Sequence, residues 1–291
     1  MNILLTGKNG QVGWELARTL LPLGHVAACG HGELELADAA AVRRRLDEVR
    51  PDVIVNAAAY TAVDKAESEP ERAHAVNAAA PALLAQEAAW RGALLIHYST
   101  DYVFDGAKAA PYVETDPTGP LGAYGRSKLA GEEGIRAAGA DHLIFRTSWV
   151  YAARGANFLR TILRLAAERE ELRIVADQVG APTWARLIAE ATAHALKQAM
   201  HERRRGNFES GLFHLTAAGE TSWHGFASAI IAGRVGLRAN TVTPIATADD
   251  PTPARRPANS RLNTEAFRDR FGLALPDWRD CLQLCLEEIP Q

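Results

Sequence analysis

Met1-Asn2-Ile3-Leu4-Leu5-Thr6-Gly7-Lys8-Asn9-Gly10-Gln11-Val12-Gly13 is the stretch on which the reading of the chain turns. Three consecutive apolar residues, Ile3 to Leu5, run into a glycine, and the glycines then recur as G-x-x-G-x-x-G ahead of a helical pattern near Val12 to Leu21. That order predicts a strand, a tight turn and a helix start. Gly7 makes the turn, Gly10 lets a pyrophosphate approach the backbone, and Gly13 allows close helix–strand packing, while the helix N-terminus offers N–H donors to the anion. The commoner fingerprint is G-x-G-x-x-G, so the spacing departs by one residue, and a glycine trio alone is weak evidence for more than a turn. Neither a basic n-region nor a long h-region precedes Gly7, so the segment reads as a first strand and not as a signal peptide.

Working outward, apolar runs and helical patterns alternate: Val26 to Cys29, a helix near Ala39 to Val49, Val53 to Val55, a helix near Pro70 to Trp90, Leu94 to Tyr98, a helix near Gly125 to Ala138, and His142 to Phe145. The runs lack polar alternation, as expected of parallel strands covered by helices on both faces. The predicted fold class is α/β, a Rossmann-type doubly wound parallel sheet with a smaller, mixed C-terminal lobe. Residues 1–148 form the predicted dinucleotide-binding domain, with a return near 183–215, and residues 149–291 the remaining lobe. There the pattern is less regular: a helix Phe158 to Arg169, a strand Arg173 to Val175, a helix Ala185 to Met200, a strand Leu212 to Leu215 and a helix Trp223 to Ile231. Four prolines between Pro244 and Pro257 predict an ordered loop or polyproline segment there.

Composition narrows the function classes. Among 291 residues, 32 basic against 35 acidic side chains give a formal charge of −3, without the basic surplus of a nucleic-acid binder. With 47% hydrophobic and 23% charged residues the chain should fold as an ordinary globular protein. Three cysteines cannot build a disulfide framework, and Cys281 and Cys285 lack the second pair that a zinc site needs, so both are expected to pack a helix. Arg203-Arg204-Arg205 reads as a solvated helix end. No apolar stretch approaches the ~20 residues of a membrane span. The expected setting is therefore soluble and cytoplasmic, with a small-molecule ligand and neither nucleic acid nor membrane as partner.

A second strand of a dinucleotide-binding unit normally ends in an acidic residue that takes the ribose 2′-hydroxyl, whereas here it ends Cys29-Gly30-His31. The missing carboxylate removes repulsion toward a 2′-phosphate, which favours NADP(H) while leaving NAD(H) acceptable. Tyr124 and Lys128 lie four residues apart, on one face of a helix start. A cation near a phenol favours the phenolate and would bring Tyr124 toward a useful acid–base range, and Lys128 could also hold the nicotinamide ribose. Thr100, at the carboxyl edge of the strand from Leu94, could hydrogen-bond a reacting oxygen. Alone, Y-x-x-x-K is an ordinary helix pair; after a glycine-rich turn and a strand ending Ser99-Thr100 it reads as a site.

With these elements in order, the chain resembles the extended short-chain dehydrogenase/reductases, and within them the dTDP-4-dehydrorhamnose reductase family, over nearly its whole length. The matching segments include Gly7 to Leu16, Arg50 to Glu67, His97 to Phe104, Tyr124 to Lys128, Phe145 to Tyr151, Asp177 to Thr183 and Arg256 to Ser260. The resemblance implies hydride transfer from NADPH, with NADH also accepted, to C4 of dTDP-4-dehydro-L-rhamnose, the last step of dTDP-L-rhamnose synthesis. Tyr124 would donate the proton, Lys128 tune it and Thr100 assist. Asp101 and Trp149 would contact the sugar nucleotide and Arg256 its diphosphate, while Asp177 and Gln178 would fix the loop between the lobes or touch the ligand. For the cofactor, Gly10, Gln11 and Val12 match the phosphate loop, Ala57, Ala58 and Ala59 a wall of small residues, and Glu35-Leu36 the pair near the adenine.

Some members of that family are magnesium-linked dimers using carboxylates from both subunits. Glu15 and Glu288 match such positions, but Arg186 stands where a third carboxylate is expected, and a guanidinium cannot ligate Mg²⁺. The substitution speaks against the metal and puts that mode of homodimer formation in question. Two other readings share the fold: a sugar-nucleotide epimerase or dehydratase, and a non-catalytic regulatory subunit like that of methionine adenosyltransferase. Tyr102 occupies the place where a 4,6-dehydratase needs an acid or base, and the intact Thr100, Tyr124 and Lys128 set weighs against a purely regulatory role.

Overall fold

The computed structural model describes residues 1–290. In the first half, β1 (Asn2–Thr6), α1 (Gln11–Thr19), β2 (His25–Cys29), α2 (Ala39–Val49), β3 (Val53–Asn56), α3 (Val63–Ala66), α4 (Pro70–His74), α5 (Ala80–Arg91), β4 (Leu94–Thr100), α6 (Ala123–Ala137) and β5 (His142–Thr147) follow in sequence. Then come β6 (Val150–Tyr151), α7 (Phe158–Glu168), β7 (Glu171–Val175), β8 (Val179–Gly180), β9 (Thr183–Trp184), α8 (Ala185–Arg205), β10 (Gly211–His214), β11 (Thr221–Ser222), α9 (Trp223–Ala232), β12 (Thr241–Ile245), α10 (Glu265–Phe271) and α11 (Trp278–Glu287).

Six strands form one parallel sheet in the order β10-β5-β4-β3-β1-β2, so the chain reverses direction across the sheet at β1 and β3. Period-two alternation explains the continuous apolar runs. Ile3, Leu5, Val53, Val55, Leu94 and Ile96 face one core with Leu16 of α1, Ile188 and Leu196 of α8, and Phe267 of α10. Leu4, Ile54, Leu95 and Ile144 face the other with Val42, Leu46, Leu84 and Ile135. The doubly wound α/β class follows from these two covered faces. The register pairs Thr6 with both Cys29 and Asn56, Asn56 with His97, and Thr100 with Thr147, which gathers the carboxyl ends of five strands along one edge.

A separate core holds the second lobe: Tyr151, Leu159, Ile162, Phe226, Ile230, Trp278, Cys281, Cys285 and Leu286. Both cysteines of α11 are buried and unpaired. The return to the large sheet is made by α8, which packs on the core beside α1, and by β10, which pairs with β5.

Three local details depart from the sequence pattern. The helix near Pro70 to Trp90 is interrupted by a π-helical turn, Ala75–Ala79. At Pro244 the chain is already in β12, which pairs with β7 alone; an edge strand tolerates a proline because its N–H side can face away from the ladder. At the end of α8, Arg204 and Arg205 are exposed, whereas Arg203 holds Asp141 at 2.8 Å and the Gly92 carbonyl at 2.7 Å. Among the described residues, no helix is long and apolar enough to cross a membrane.

Candidate active site

The carboxyl ends of the strands open into a cleft of about 860 Å³ between the sheet and the second lobe. At one end lies the glycine loop. Gly7 adopts φ +76°, and a Cβ there would stand 2.6 Å from the Ala58 nitrogen. At Gly13 a Cβ would come within 2.0 Å of the Gly7 carbonyl oxygen, so α1 packs against the turn only because no side chain intervenes. Gly10 occupies the N-cap with no side chain to satisfy the first-turn N–H groups, which leaves them as donors for an anion. Gly7, Gly10, Gln11 and Val12 line the cleft with Ala57, Ala58, Ala59, Glu35 and Leu36; Gly13 supports them from behind.

The other end carries the titratable groups. Thr100, Asp101, Tyr124, Lys128 and Trp149 all line the same cleft. Thr100 Oγ1 donates to Asp101 Oδ1 at 3.0 Å and accepts from the Tyr102 N–H at 3.2 Å. Asp101 is almost fully buried, and burial pushes its carboxyl up to about 6 against the hydrogen bonds from Ser260 and Thr100. Lys128, also buried, is pushed down to about 8 by desolvation, with Glu132 pulling the other way. Its ammonium donates to the Tyr98 carbonyl at 2.6 Å and meets His97 Nε2 at 3.1 Å. His97 in turn faces the Asn56 amide at 3.0 Å, and Thr6 Oγ1 donates to Asn56 Oδ1 at 2.6 Å. A buried polar chain thus crosses three strand ends to hold the lysine.

Tyr124 differs from the expectation of a phenol brought down by its lysine neighbour. Burial dominates and pushes the phenol up to about 12, against a smaller lowering influence of the neighbouring Thr100 hydroxyl. Lys128 turns toward Tyr98 and His97, and Tyr102 packs edge-on against the Tyr124 ring with centroids 5.7 Å apart. At neutral pH the phenol is therefore protonated, the form needed in a proton donor.

Trp149 has φ +48°, a strained conformation for a bulky residue, and stacks on Trp223 with ring centroids 3.5 Å apart and planes 7° from parallel. Gly180 makes room for the indole, since a Cβ there would lie 2.6 Å from it. Trp223 also donates to Gln178 Oε1 at 3.2 Å, and Gln178 donates to Thr247 Oγ1 at 3.0 Å. Asp177 accepts from the Thr247 N–H at 2.9 Å, so Asp177 and Gln178 fasten the loop after β12. Trp223, Asn157 and Arg154 line the cleft without any signal in the sequence: each arrives from a distant segment. Asn157 donates to Gln11 Oε1 at 2.9 Å, and Gln11 to the Val150 carbonyl at 3.2 Å, tying the second lobe to the glycine loop.

Arg256 is not among the residues that line the cleft. It is half-buried, with Nη2 2.8 Å from Asp64 Oδ2, and holds the Asp64 carboxyl below its ordinary range. The carboxylates considered for magnesium are likewise engaged. Arg186 Nε lies 3.4 Å from Glu15 Oε2, and Arg186 Nη1 pairs with Glu288. A guanidinium offers no lone pair to a cation and brings its own charge, so these residues do not fit Mg²⁺.

The family model described as "RmlD substrate binding domain" matches residues 1–290. The dTDP-4-dehydrorhamnose reductase of Burkholderia thailandensis is 56% identical, covering 99% of both chains. Among solved structures, a dTDP-4-dehydrorhamnose reductase from Clostridium acetobutylicum superposes with a TM-score of 0.90 at 35% identity, covering 99% of each chain. One from Bacillus anthracis, in complex with NADP, gives 0.89 at 33% identity over 98% of each.

Proposed function

Because the chain belongs to the dTDP-4-dehydrorhamnose reductase family, we propose that its cleft reduces the C4 ketone of dTDP-4-dehydro-L-rhamnose to the alcohol of dTDP-L-rhamnose, the last step of dTDP-rhamnose synthesis. The observation that carries the reading is the convergence of Thr100, Asp101, Tyr124 and Lys128 on one cleft whose far end is the glycine loop. NADPH, or NADH in its place, supplies the hydride when bound. Gly7, Gly10, Gln11 and Val12, backed by Gly13, would hold its pyrophosphate, Ala57 to Ala59 leave room for the dinucleotide, and Glu35 and Leu36 border the adenine end.

As C4 gains the hydride, the carbonyl π electrons move to oxygen, and Tyr124 gives its phenolic proton to that alkoxide. Thr100 orients the oxygen. Lys128, held by His97 and the Tyr98 carbonyl, would hold the nicotinamide ribose hydroxyls. Asp101 and Trp149 contact the sugar, with Trp223 behind Trp149 fixing its plane. Arg256 takes the substrate diphosphate by exchanging one anionic partner, Asp64, for another.

Residues 1–148 with the return near 183–215 form the cofactor unit in this reading, and 149–291 mainly the sugar-nucleotide lobe. The reaction runs in the cytoplasm, which suits three unpaired cysteines. A homodimer belongs to the same reading, with a contact that does not rely on metal held by Glu15 and Glu288.

The test follows NADPH absorbance with purified protein and dTDP-4-dehydro-L-rhamnose, beside Tyr124→Phe. One NADPH should be consumed per sugar nucleotide, and the variant should lose about 10²- to 10⁴-fold in kcat while still binding cofactor. No oxidation of NADPH or NADH by a chain that binds either would overturn the assignment.

A further inference from the structure

Beside the adenosine end of the cleft, just outside its lining residues Asn9, Gly30, His31 and Leu34, lies an ion pair that the reaction does not use. Strand β2 ends at Cys29, and Gly30 and His31, which follow it, line the cleft without offering a carboxylate. One turn later the chain doubles back: the Glu33 and Leu34 N–H groups both donate to the Gly30 carbonyl at 3.0 Å. This turn returns the Glu33 side chain to the strand end. Glu33 Oε2 accepts from the Gly30 N–H at 2.7 Å, and Oε1 accepts from Lys8 Nζ at 2.6 Å. Lys8 belongs to the glycine loop and is anchored there by its N–H to the Cys29 carbonyl at 3.2 Å. The Asn9 amide packs on Gly30 so closely that a Cβ would lie 2.5 Å from it, which keeps the two loops in contact.

A carboxylate has thus been restored in space where the strand lacks one in sequence, with an ammonium beside it. The two groups prefer opposite ligands. A ribose 2′-hydroxyl is a donor and suits Glu33; a 2′-phosphate is repelled by Glu33 and suits Lys8. Side-chain exposures of 32% for Lys8 and 53% for Glu33 mean that the pair contributes little to stability and is free to separate. The other basic side chains near the strand end are engaged elsewhere: Arg45 donates to Cys29 Sγ and pairs with Glu48, and the His31 ring faces Glu35.

We propose that Lys8 and Glu33 set the choice between NADPH and NADH, Glu33 taking the 2′-hydroxyl of NADH and Lys8, once released from Glu33, the 2′-phosphate of NADPH. The inference rests on the reading of the cleft as a nicotinamide dinucleotide site.

Glu33→Gln and Lys8→Met separate the two roles. Dissociation constants for NADPH and NADH by titration calorimetry, and kcat/KM for each in the reductase assay, give one preference ratio per variant. Glu33→Gln should raise the NADPH-to-NADH ratio by at least about tenfold, and Lys8→Met should lower it by a similar factor while NADH binding changes by less than about threefold. Both cofactors binding both variants with the parent's ratio, to within about twofold, would overturn the inference and leave the reductase reading intact. Shifted ratios in binding without turnover of the sugar would support the inference and count against the substrate. A parent chain that binds neither cofactor would overturn both.

Discussion

The two ends of the cleft are built from different materials. The cofactor end is made of backbone and small residues at the tips of parallel strands, where Gly7, Gly10, Gly13 and Ala57 to Ala59 act by what they lack. The other end, where the proposed reading seats the sugar, is made of large side chains, Trp149, Trp223, Tyr102 and Tyr124, brought together from segments far apart in the chain. A backbone site has few degrees of freedom, so small changes there should be nearly all-or-none. A side-chain site distributes its contacts, so losses there should be graded.

Gly13→Ala tests the first half most severely. A methyl group 2.0 Å from the Gly7 carbonyl oxygen forces the turn and α1 apart. Calorimetry should show binding of either nicotinamide cofactor weakened by more than about 100-fold, and a loss under about tenfold would break the comparison. The next effect comes from Lys128. Its proton is lost as pH rises through about 8, so kcat/KM should fall above that pH, by up to about tenfold per unit. The same depressed value means that the folded chain releases this proton before the unfolded chain does. Lys128 therefore costs stability below pH 8, and the cost fades as pH climbs toward the ordinary lysine value of 10.5. A flat rate profile across this range would remove Lys128 from the mechanism.

Trp223→Ala should raise KM for the sugar nucleotide about two- to tenfold with kcat little changed, the scale of one aromatic stack. A collapse of kcat instead would show that the sugar end is as rigid as the glycine loop. The smallest expected effect is that of EDTA: rate, melting temperature and oligomeric mass should not move, because Arg186 already occupies the space between Glu15 and Glu288 and engages both. Arg186→Glu sharpens the point, since it alone should make melting respond to added Mg²⁺.

The same contrast explains how much could be read in advance. The strand runs at Ile3, Val53 and Leu94 were legible because burial on both faces leaves an unbroken apolar signature, and Gly7 to Gly13 because a turn and a helix start must be adjacent in sequence. Tyr124 and Lys128 were legible from helical spacing, but the ionisation of the phenol was not: it depends on burial and on where Lys128 points, both set by His97 and Tyr98 from another strand. Trp223, Asn157 and the Asp64–Arg256 pair arise only when the second lobe closes on the first. The π-helical turn at Ala75–Ala79 also escaped, although it presents Asn77 to Tyr60 and to Ser127 of α6, each within 3.0 Å.

The stacked indoles of Trp149 and Trp223 have an optical consequence. Two chromophores 3.5 Å apart with planes 7° from parallel couple their excited states, and in the chiral setting of the protein that coupling gives a near-ultraviolet circular dichroism band. The rings line the cavity, so an arriving hexose that shifts either one alters the coupling directly. On the proposed reading the molecule would carry its own reporter of substrate capture, readable without a dye and without waiting for the chemistry.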